Sequence, residues 1–266
     1  MWTIEKFEDL PSTNDLARTR VADGSAKHGD VIQAEHQTSG RGRLPRRSWQ
    51  DERGKSLLMS VVLKDIPRGF VELAPYIAAL SVTQSLRTFL QGHLPYFEQG
   101  RVRTKWPNDL LLDGKKFCGI LSEAVWSGEE LKAVVLGIGM NVNQQQFDDK
   151  LKASATSLMG AVKRMLDIDQ VRDRVLAGVA SYVERSNEMP PALFKLSVLN
   201  ELRMELGWMK LLPTFDVELL NGEIIRMVSY CGIESDGGMM VKHLDGTAQV
   251  LYSGTLAISP LPEEAR

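Results

Sequence analysis

Apolar positions change their period several times along the chain, and each change marks an element. From Phe70 to Leu90 the residues Val71, Ala74, Ala78, Val82, Leu86 and Leu90 recur every three or four positions, which predicts a helix with one buried face. Val171, Val175, Val179 and Val183 keep a helical register, so a second helix is predicted from about Ile168 to Val183. Pro190 and Pro191 break the pattern, and a third helix is read from Leu193 to Leu206. A short helix is expected over residues 12 to 23, opening on Ser12, Thr13 and Asn14, whose side chains suit the free N–H groups of a helix start.

Elsewhere the pattern is that of strands. DVIQAEHQ (Asp30 to Gln37) and SLLMSVVL (Ser56 to Leu63) flank a stretch, residues 38 to 54, dense in glycine and arginine without apolar periodicity, which is read as a loop. Val102 to Trp126 alternates strand-like runs with the turn signals PND and DGK, and leads to LKAVVLGIGMNVN, Leu131 to Asn143. These segments predict an α+β body: a mixed, mostly antiparallel sheet with flanking helices. From Leu211 the character shifts to short β-like segments (FDVELL, EIIRMVSYCGI, GGMMVKHL, AQVLYSGTLAIS) separated by NG, SDGG and DG turns. The expected division is a body over residues 1–210 and a small C-terminal β-barrel over 211–266.

Composition narrows the function. With 266 residues, 43% hydrophobic and 25% charged, the chain has ample material for a core. A net charge of −2 gives no bulk attraction to DNA or to anionic membrane, so any site for a polyanion has to be local. Cys118 and Cys231 match no metal-ligand spacing and the four histidines form no close pair, so no dedicated metal site is expected. No apolar run reaches the ~18 residues of a membrane span, and MWTIEKFEDL lacks the plan of a signal peptide, so a cytoplasmic location is expected.

Three segments carry candidate chemistry. TSGRGRLPRRSW, Thr38 to Trp49, sets Arg41, Arg43, Arg46 and Arg47 among glycines that let backbone N–H groups approach an anion, so a phosphate-bearing ligand fits. It is neither a Walker loop nor GxGxxG; a solvated basic loop is what an arbitrary arginine cluster more often is, and nucleic-acid contact is a further alternative that one short loop, with few phosphate contacts, would make weak. In KWPNDLLLDGKKFCGI a hairpin would bring Lys105, Lys115 and Lys116 near one another with Asp109 at the turn; a packing tryptophan with solvated lysines is the alternative. LGIGMNVN places Gly137 and Gly139 inside an apolar strand, where glycine marks a bulge or a close approach to the backbone.

Taken together, STN at Ser12 to Asn14, GRGR at Gly40 to Arg43, KWPND at Lys105 to Asp109, KKFCGIL around Lys116 and Gly119, and GIGMNVN resemble the biotin protein ligases in order and approximate spacing. The resemblance spans nearly the whole chain. It implies a catalytic domain of biotin/lipoate ligase, class II synthetase-like fold, closed by a C-terminal SH3-like β-barrel. It places biotin contacts at Ser12, Thr13, Asn14, Gln37, Gly40, Arg41, Gly42, Arg43, Lys116, Gly119 and Gly139, and nucleotide contacts at Arg43, Trp49, Lys105, Asn108 and Asn141, with Trp126 a further aromatic wall. Arg43, Lys105, Lys116 and Asp109 are its catalytic candidates. LPRRSW is one residue longer than the usual spacing, so either Arg46 or Arg47 stands for the family's third arginine, and Pro45 replaces a common glycine.

The implied reaction uses ATP with Mg²⁺. The biotin carboxylate attacks the α-phosphate to give biotinyl-5'-AMP and pyrophosphate, and a lysine of a biotin carboxyl carrier protein of acetyl-CoA carboxylase then attacks the anhydride. A carboxylate, with a pKa of ~4 to 5, is ionised at neutral pH and needs no general base. Repulsion between anions is the obstacle, and fixed cations and N–H groups answer it. The Gly40 to Trp49 loop is expected to order over the ligand, protecting the anhydride from water. A lipoate-type ligase, a non-catalytic biotin-binding module and a DNA-binding repressor are the rival readings. Because STN begins at Ser12, a preceding winged helix-turn-helix is not expected, nor is DNA a partner. Homodimerisation is common in the family and no residue here argues for it.

Overall fold

A computed structural model describes residues 1–43, 48–149 and 151–258. Arg46, Arg47 and Pro45, with the question of the third arginine, lie outside the described residues. The chain runs β1 (Thr3–Leu10), α1 (Thr13–Ala22), β2 (Asp30–Gln37), β3 (Ser56–Leu63), α2 (Arg68–Gln91), β4 (Val102–Lys105), β5 (Asp109–Leu112), β6 (Lys115–Ser127) and β7 (Glu130–Asn141). It continues through α3 (Leu158–Val162), α4 (Ile168–Glu188) and α5 (Pro191–Glu205) into β8 (Phe215–Glu218), β9 (Ile224–Ile233), β10 (Met239–Lys242), β11 (Ala248–Leu251) and β12 (Thr255–Ala257).

The first seven strands form one sheet in the order β1-β2-β3-β7-β6-β5-β4. Only β1 and β2 pair in parallel; every other pairing is antiparallel. The mixed, mostly antiparallel sheet with flanking helices is thus what the sequence predicted. Alternation along β7 decides which face each residue serves. Val134, Leu136, Ile138 and Met140 turn to the larger core, which α2, α4 and α5 cover with residues such as Phe70, Ile77, Val175 and Phe194. Ala133 and Val135 turn to the opposite face and pack with Ala17 and Val21 of α1, Ile32 and Val62 in a second, smaller core. Strand β3 is buried at every position, consistent with cover on both faces. Helix α1 is short, so beyond Val135 the second face carries Gly137 and Gly139 instead of apolar side chains.

The C-terminal strands correct one expectation. They form an antiparallel sheet in the order β11-β10-β9-β8-β12, which does not close into the expected SH3-like barrel. Among the described residues β11 pairs with β10 and β12 with β8, leaving both as edges. Closure needs strands long and staggered enough to meet around a cylinder. Here the two outer strands have four and three residues, and neither pairs with the other. The open sheet instead uses the body as its second layer: Phe215, Val217, Val228 and Val241 belong to the same core cluster as Phe70 and Phe194. Tyr76 of α2 donates from its hydroxyl to the Gly237 carbonyl at 2.7 Å. Among the described residues no helix is long and apolar enough to cross a membrane.

Candidate active site

The site grows from a single cross-strand row. Ala34, Leu58, Gly139, Gly119, Asp109 and Lys105 are successive register partners across β2, β3, β7, β6, β5 and β4. The two glycines leave bare backbone at the middle of the row, while Asp109 and Lys105 add charge at its end. Trp49 stands over the bare patch: a Cβ at Gly139 would lie 2.9 Å from its ring and one at Gly119 would lie 3.1 Å from it. Gly137 serves another neighbour, since a Cβ there would come within 2.3 Å of Asn14 Oδ1. These glycines answer close approach rather than bulges; the register shifts in β6 and β5 fall at other positions.

One wall of the cleft is the start of α1. Ser12 caps the helix by accepting from the Asp15 N–H at 3.4 Å, so its capping role holds. Gln37 Oε1 accepts from the Thr13 backbone N–H at 2.7 Å and lies 3.2 Å from the Thr13 hydroxyl. Asn14 Nδ2 donates to the Leu121 carbonyl at 3.2 Å and to Glu123 at 2.7 Å, while its Oδ1 accepts from the Ser60 hydroxyl at 2.5 Å. Ser12, Thr13 and Asn14 are all buried. With Gln37, Arg41, Gly42, Arg43, Trp49, Asn108, Lys116, Gly119 and Gly139 they line one cleft, whose apolar parts are Met59, Ile120, Leu121 and Ile138. Gly40 lies just behind, its carbonyl accepting from the Trp49 N–H at 3.0 Å.

The opposite end is electrostatic. Asp113 and Gly114, both with positive φ, turn β5 into β6 and send Lys116 back alongside Asp109. Its ammonium sits 2.6 Å from Asp109 Oδ1 and 5.9 Å from the centre of the Trp49 ring. Burial alone would raise the Asp109 pKa, but the charges of Lys116 and Lys105, the hydrogen bond from Lys116 and the charge of Arg43 together hold it below the ordinary carboxylate value. Burial pulls the Arg43 guanidinium below its usual value, against the opposing influence of Asp109 and Tyr76. Asn108 is locked to β6 by donating to the Ile120 carbonyl at 2.7 Å.

Arg41 lines the cleft, its guanidinium held by Asp15 at 2.6 Å and Glu123 at 3.1 Å. Two placements depart from the sequence reading. Asn141 is outside the lining; it is buried and donates to the Thr156 carbonyl at 3.0 Å. Trp126 does not form a wall here. It lies seven residues beyond Gly119 on β6, roughly 23 Å away at ~3.3 Å per residue, beside Asp65, Ile66 and Leu131. Glu123 and Ser60, which hold Asn14, were absent from the sequence-based set; the only local signal was an acid on the same strand face as Gly119 and Leu121.

Polar atoms of the cleft lining are buried without a partner among the described residues, Arg43 Nε and Trp49 Nε1, as is Asn141 Oδ1 outside that lining. Buried polar groups are normally paired, so such orphans around a cleft point to a polar ligand. Among the described residues no group of three or more His, Cys, Asp or Glu side chains is arranged to hold a metal ion. The Cys118 thiol is fully buried beneath the row and burial pushes its pKa far up, so it is no nucleophile.

A cleft with a hydrogen-bonding end, a bare glycine floor and a cationic end is a site for a polar ligand that meets an anion. The family model described as the biotin/lipoate A/B protein ligase family matches residues 7–141. The chain is 35% identical over 175 residues to the bifunctional ligase/repressor BirA of Bacillus subtilis (strain 168), a match covering 64% of this chain and 50% of that protein. It is 32% identical over 206 residues to the biotin--[acetyl-CoA-carboxylase] ligase of Mycobacterium tuberculosis, covering 73% of this chain and 71% of the other. Among solved structures, the biotin protein ligase of Aquifex aeolicus in complex with biotin and ATP superposes with a TM-score of 0.73 at 24% identity, over 97% of this chain and 100% of that one. That structural match concerns the fold. The chain belongs to the biotin/lipoate A/B protein ligase family, and within it to the biotin protein ligases. It spans about half the length of the Bacillus relatives it matches, at 50% of each.

Proposed function

We propose that the protein is an ATP-dependent biotin protein ligase, which forms biotinyl-5'-AMP with release of pyrophosphate and passes the biotinyl group to a lysine of a biotin carboxyl carrier protein. The observation that carries this reading is the row Gly139, Gly119, Asp109, Lys105, which runs the floor of a hydrogen-bonding cleft directly into a cluster of cations. Biotin's fused ring would lie toward Thr13, Asn14 and Gln37 and its carboxylate toward Lys116 and Arg43. The triphosphate would face Arg43 and Lys105, with Asn108 and Asn141 on the nucleotide side. The orphaned Arg43 Nε and Asn141 Oδ1 support that assignment. Mg²⁺ would come with the ATP phosphates and neutralise part of their charge; Asp109 is already engaged by Lys116.

In this arrangement no residue has to remove a proton from the attacking carboxylate. Lys116, Lys105 and Arg43 lower the repulsion between the two anions and take up charge as it builds on the phosphoryl oxygens, where one well-placed donor is worth about 3–4 kcal/mol. Asp109 keeps Lys116 aimed and balances the cations when no ligand is bound. Residues 1–210 would act as the catalytic unit, and 211–266 as a second unit that reaches Arg43 through the Gly254 carbonyl.

The cleft's polarity favours biotin over lipoate. Thr13 occupies Gln37 Oε1, so the end of that amide offered to a ligand is the NH₂ donor. A cyclic urea supplies a carbonyl for it, whereas a dithiolane ring would leave a buried donor unmatched at a cost of about 1–3 kcal/mol. The test is incubation with ATP, Mg²⁺, biotin and a biotin carboxyl carrier domain, read by intact mass and by biotin-dependent ATP–pyrophosphate exchange. Gain of one biotinyl mass with exchange is expected. Absence of both overturns the reading, and exchange with lipoate but not biotin replaces it with the lipoate ligase.

A further inference from the structure

We propose that Glu123, which does not line the cleft, is a positioning residue for the biotin end of the site: it fixes the polarity of Asn14 and moors Arg41 at the rim. The assignment rests on the biotin ligase reading above. Its geometry is specific. Glu123 Oε2 accepts from Asn14 Nδ2 at 2.7 Å and lies 3.1 Å from the Arg41 guanidinium, and Oε1 lies 3.3 Å from Arg18. The Leu121 carbonyl, 3.2 Å from the same Asn14 nitrogen, is a second acceptor. Two acceptors on one side and the Ser60 hydroxyl on the other leave the Asn14 amide a single orientation. Gly137 leaves the room the amide occupies, since a Cβ there would lie 2.3 Å from Asn14 Oδ1.

In that orientation both Asn14 N–H groups are used and Oδ1 keeps one lone pair. Asn14 therefore meets a ligand as an acceptor for an N–H, the complement of the donor offered by Gln37. Removing the carboxylate frees the amide to rotate and present the wrong end. The same change leaves Arg41 and Arg18 to share Asp15, since among the described residues Glu123 and Asp15 are the carboxylates that pair with them. Glu123 is the more sheltered of the two, with 20% side-chain exposure against 47% for Asp15, so its interactions are the less screened.

The experiment compares Glu123→Ala and Glu123→Gln with the parent enzyme in biotin-dependent ATP–pyrophosphate exchange, with calorimetric biotin binding as a second readout. E123A is expected to raise the KM and Kd for biotin about tenfold or more while the KM for ATP stays within about twofold. E123Q keeps an acceptor for Asn14 but not the charge facing Arg41 and Arg18, so an intermediate increase is expected. A structural role alone would lower Tm and the active fraction and leave the biotin KM unmoved; that result overturns the proposal. Should E123A fail to fold, E123Q decides by the same criterion. A parent without biotin-dependent exchange would sink the ligase reading and this one with it, whereas an active parent with unchanged variants sinks only the role of Glu123.

Discussion

The Arg43 guanidinium donates to the backbone carbonyl of Gly254, tying the loop between β2 and β3 to the turn between β11 and β12. A guanidinium anchored from behind can face a phosphate without first losing its own freedom, and the buried Arg43 Nε, without a partner among the described residues, is one N–H still open to such a contact. Replacing Arg43 with glycine removes the anchor and the phosphate contact together. Release of biotinyl-5'-AMP should quicken about tenfold or more, as for loss of a charge-assisted hydrogen bond, and bystander lysines should become labelled. Adenylate release at the parent rate would refute the holding role.

Lys116 offers a second test, since it joins the glycine floor to the cation cluster. Lys116→Gln should lower the rate of biotin-dependent pyrophosphate exchange by about 10²–10³-fold. Transfer of synthetic biotinyl-5'-AMP to the carrier should fall less, because the phosphoryl chemistry is already complete. Equal losses in both half-reactions would place Lys116 in biotin binding rather than in charge stabilisation.

Acid behaviour follows from Asp109. Its folded pKa is held below the ordinary value of about 3.9, so its contribution to stability is present above that value and is lost as pH falls through the depressed one. Asp109→Asn removes this titration. At neutral pH the variant should lose about 1–3 kcal/mol, less than for a fully buried pair because Lys116 is 40% exposed. Below about pH 4 the stability difference between parent and variant should narrow. Denaturant midpoints measured between neutral and acid pH check this, and a gap that widens on acidification contradicts it.

Two alanine substitutions should separate the glycines. At Gly137 the new methyl meets Asn14 Oδ1 at 2.3 Å, and Asn14 is clamped by Glu123, Leu121 and Ser60. Gly137→Ala should cost about 1–3 kcal/mol in stability and abolish tight biotin binding. At Gly139 the neighbour is the ring of Trp49, a side chain that no hydrogen bond holds at Nε1 among the described residues. Gly139→Ala should leave Tm nearer the parent while still weakening biotin binding. Thermal unfolding and calorimetry distinguish the two.

Much of this architecture was legible because its periodicity is strong. The buried stripes of α2 and α4 and the apolar run of β3 appear nearly where the pattern puts them. Strand β1 was not read, because as an exposed edge strand it alternates weakly and buries none of its residues fully. The turns between β8 and β12 announced hairpins correctly, but closure depends on how far strands stagger, which no local signal records. Around the cleft, Arg43, Lys105, Lys116 and Asp109 all stand in motifs legible along the chain, and their charges act on one another. Glu123 escaped notice since its importance comes from Asn14, 109 positions away in sequence. Trp126 illustrates the converse: an aromatic in the right strand can sit at the wrong end of it.

The glycine floor bears on how the protein should be surveyed. A systematic replacement of each residue by alanine subtracts atoms almost everywhere and so reports what a side chain supplies. At Gly119, Gly137 and Gly139 the same procedure adds a methyl where Trp49, Lys116 or Asn14 already stands. A loss of function there would measure obstruction, and its size would reveal how much room a ligand claims rather than how strongly any group holds it.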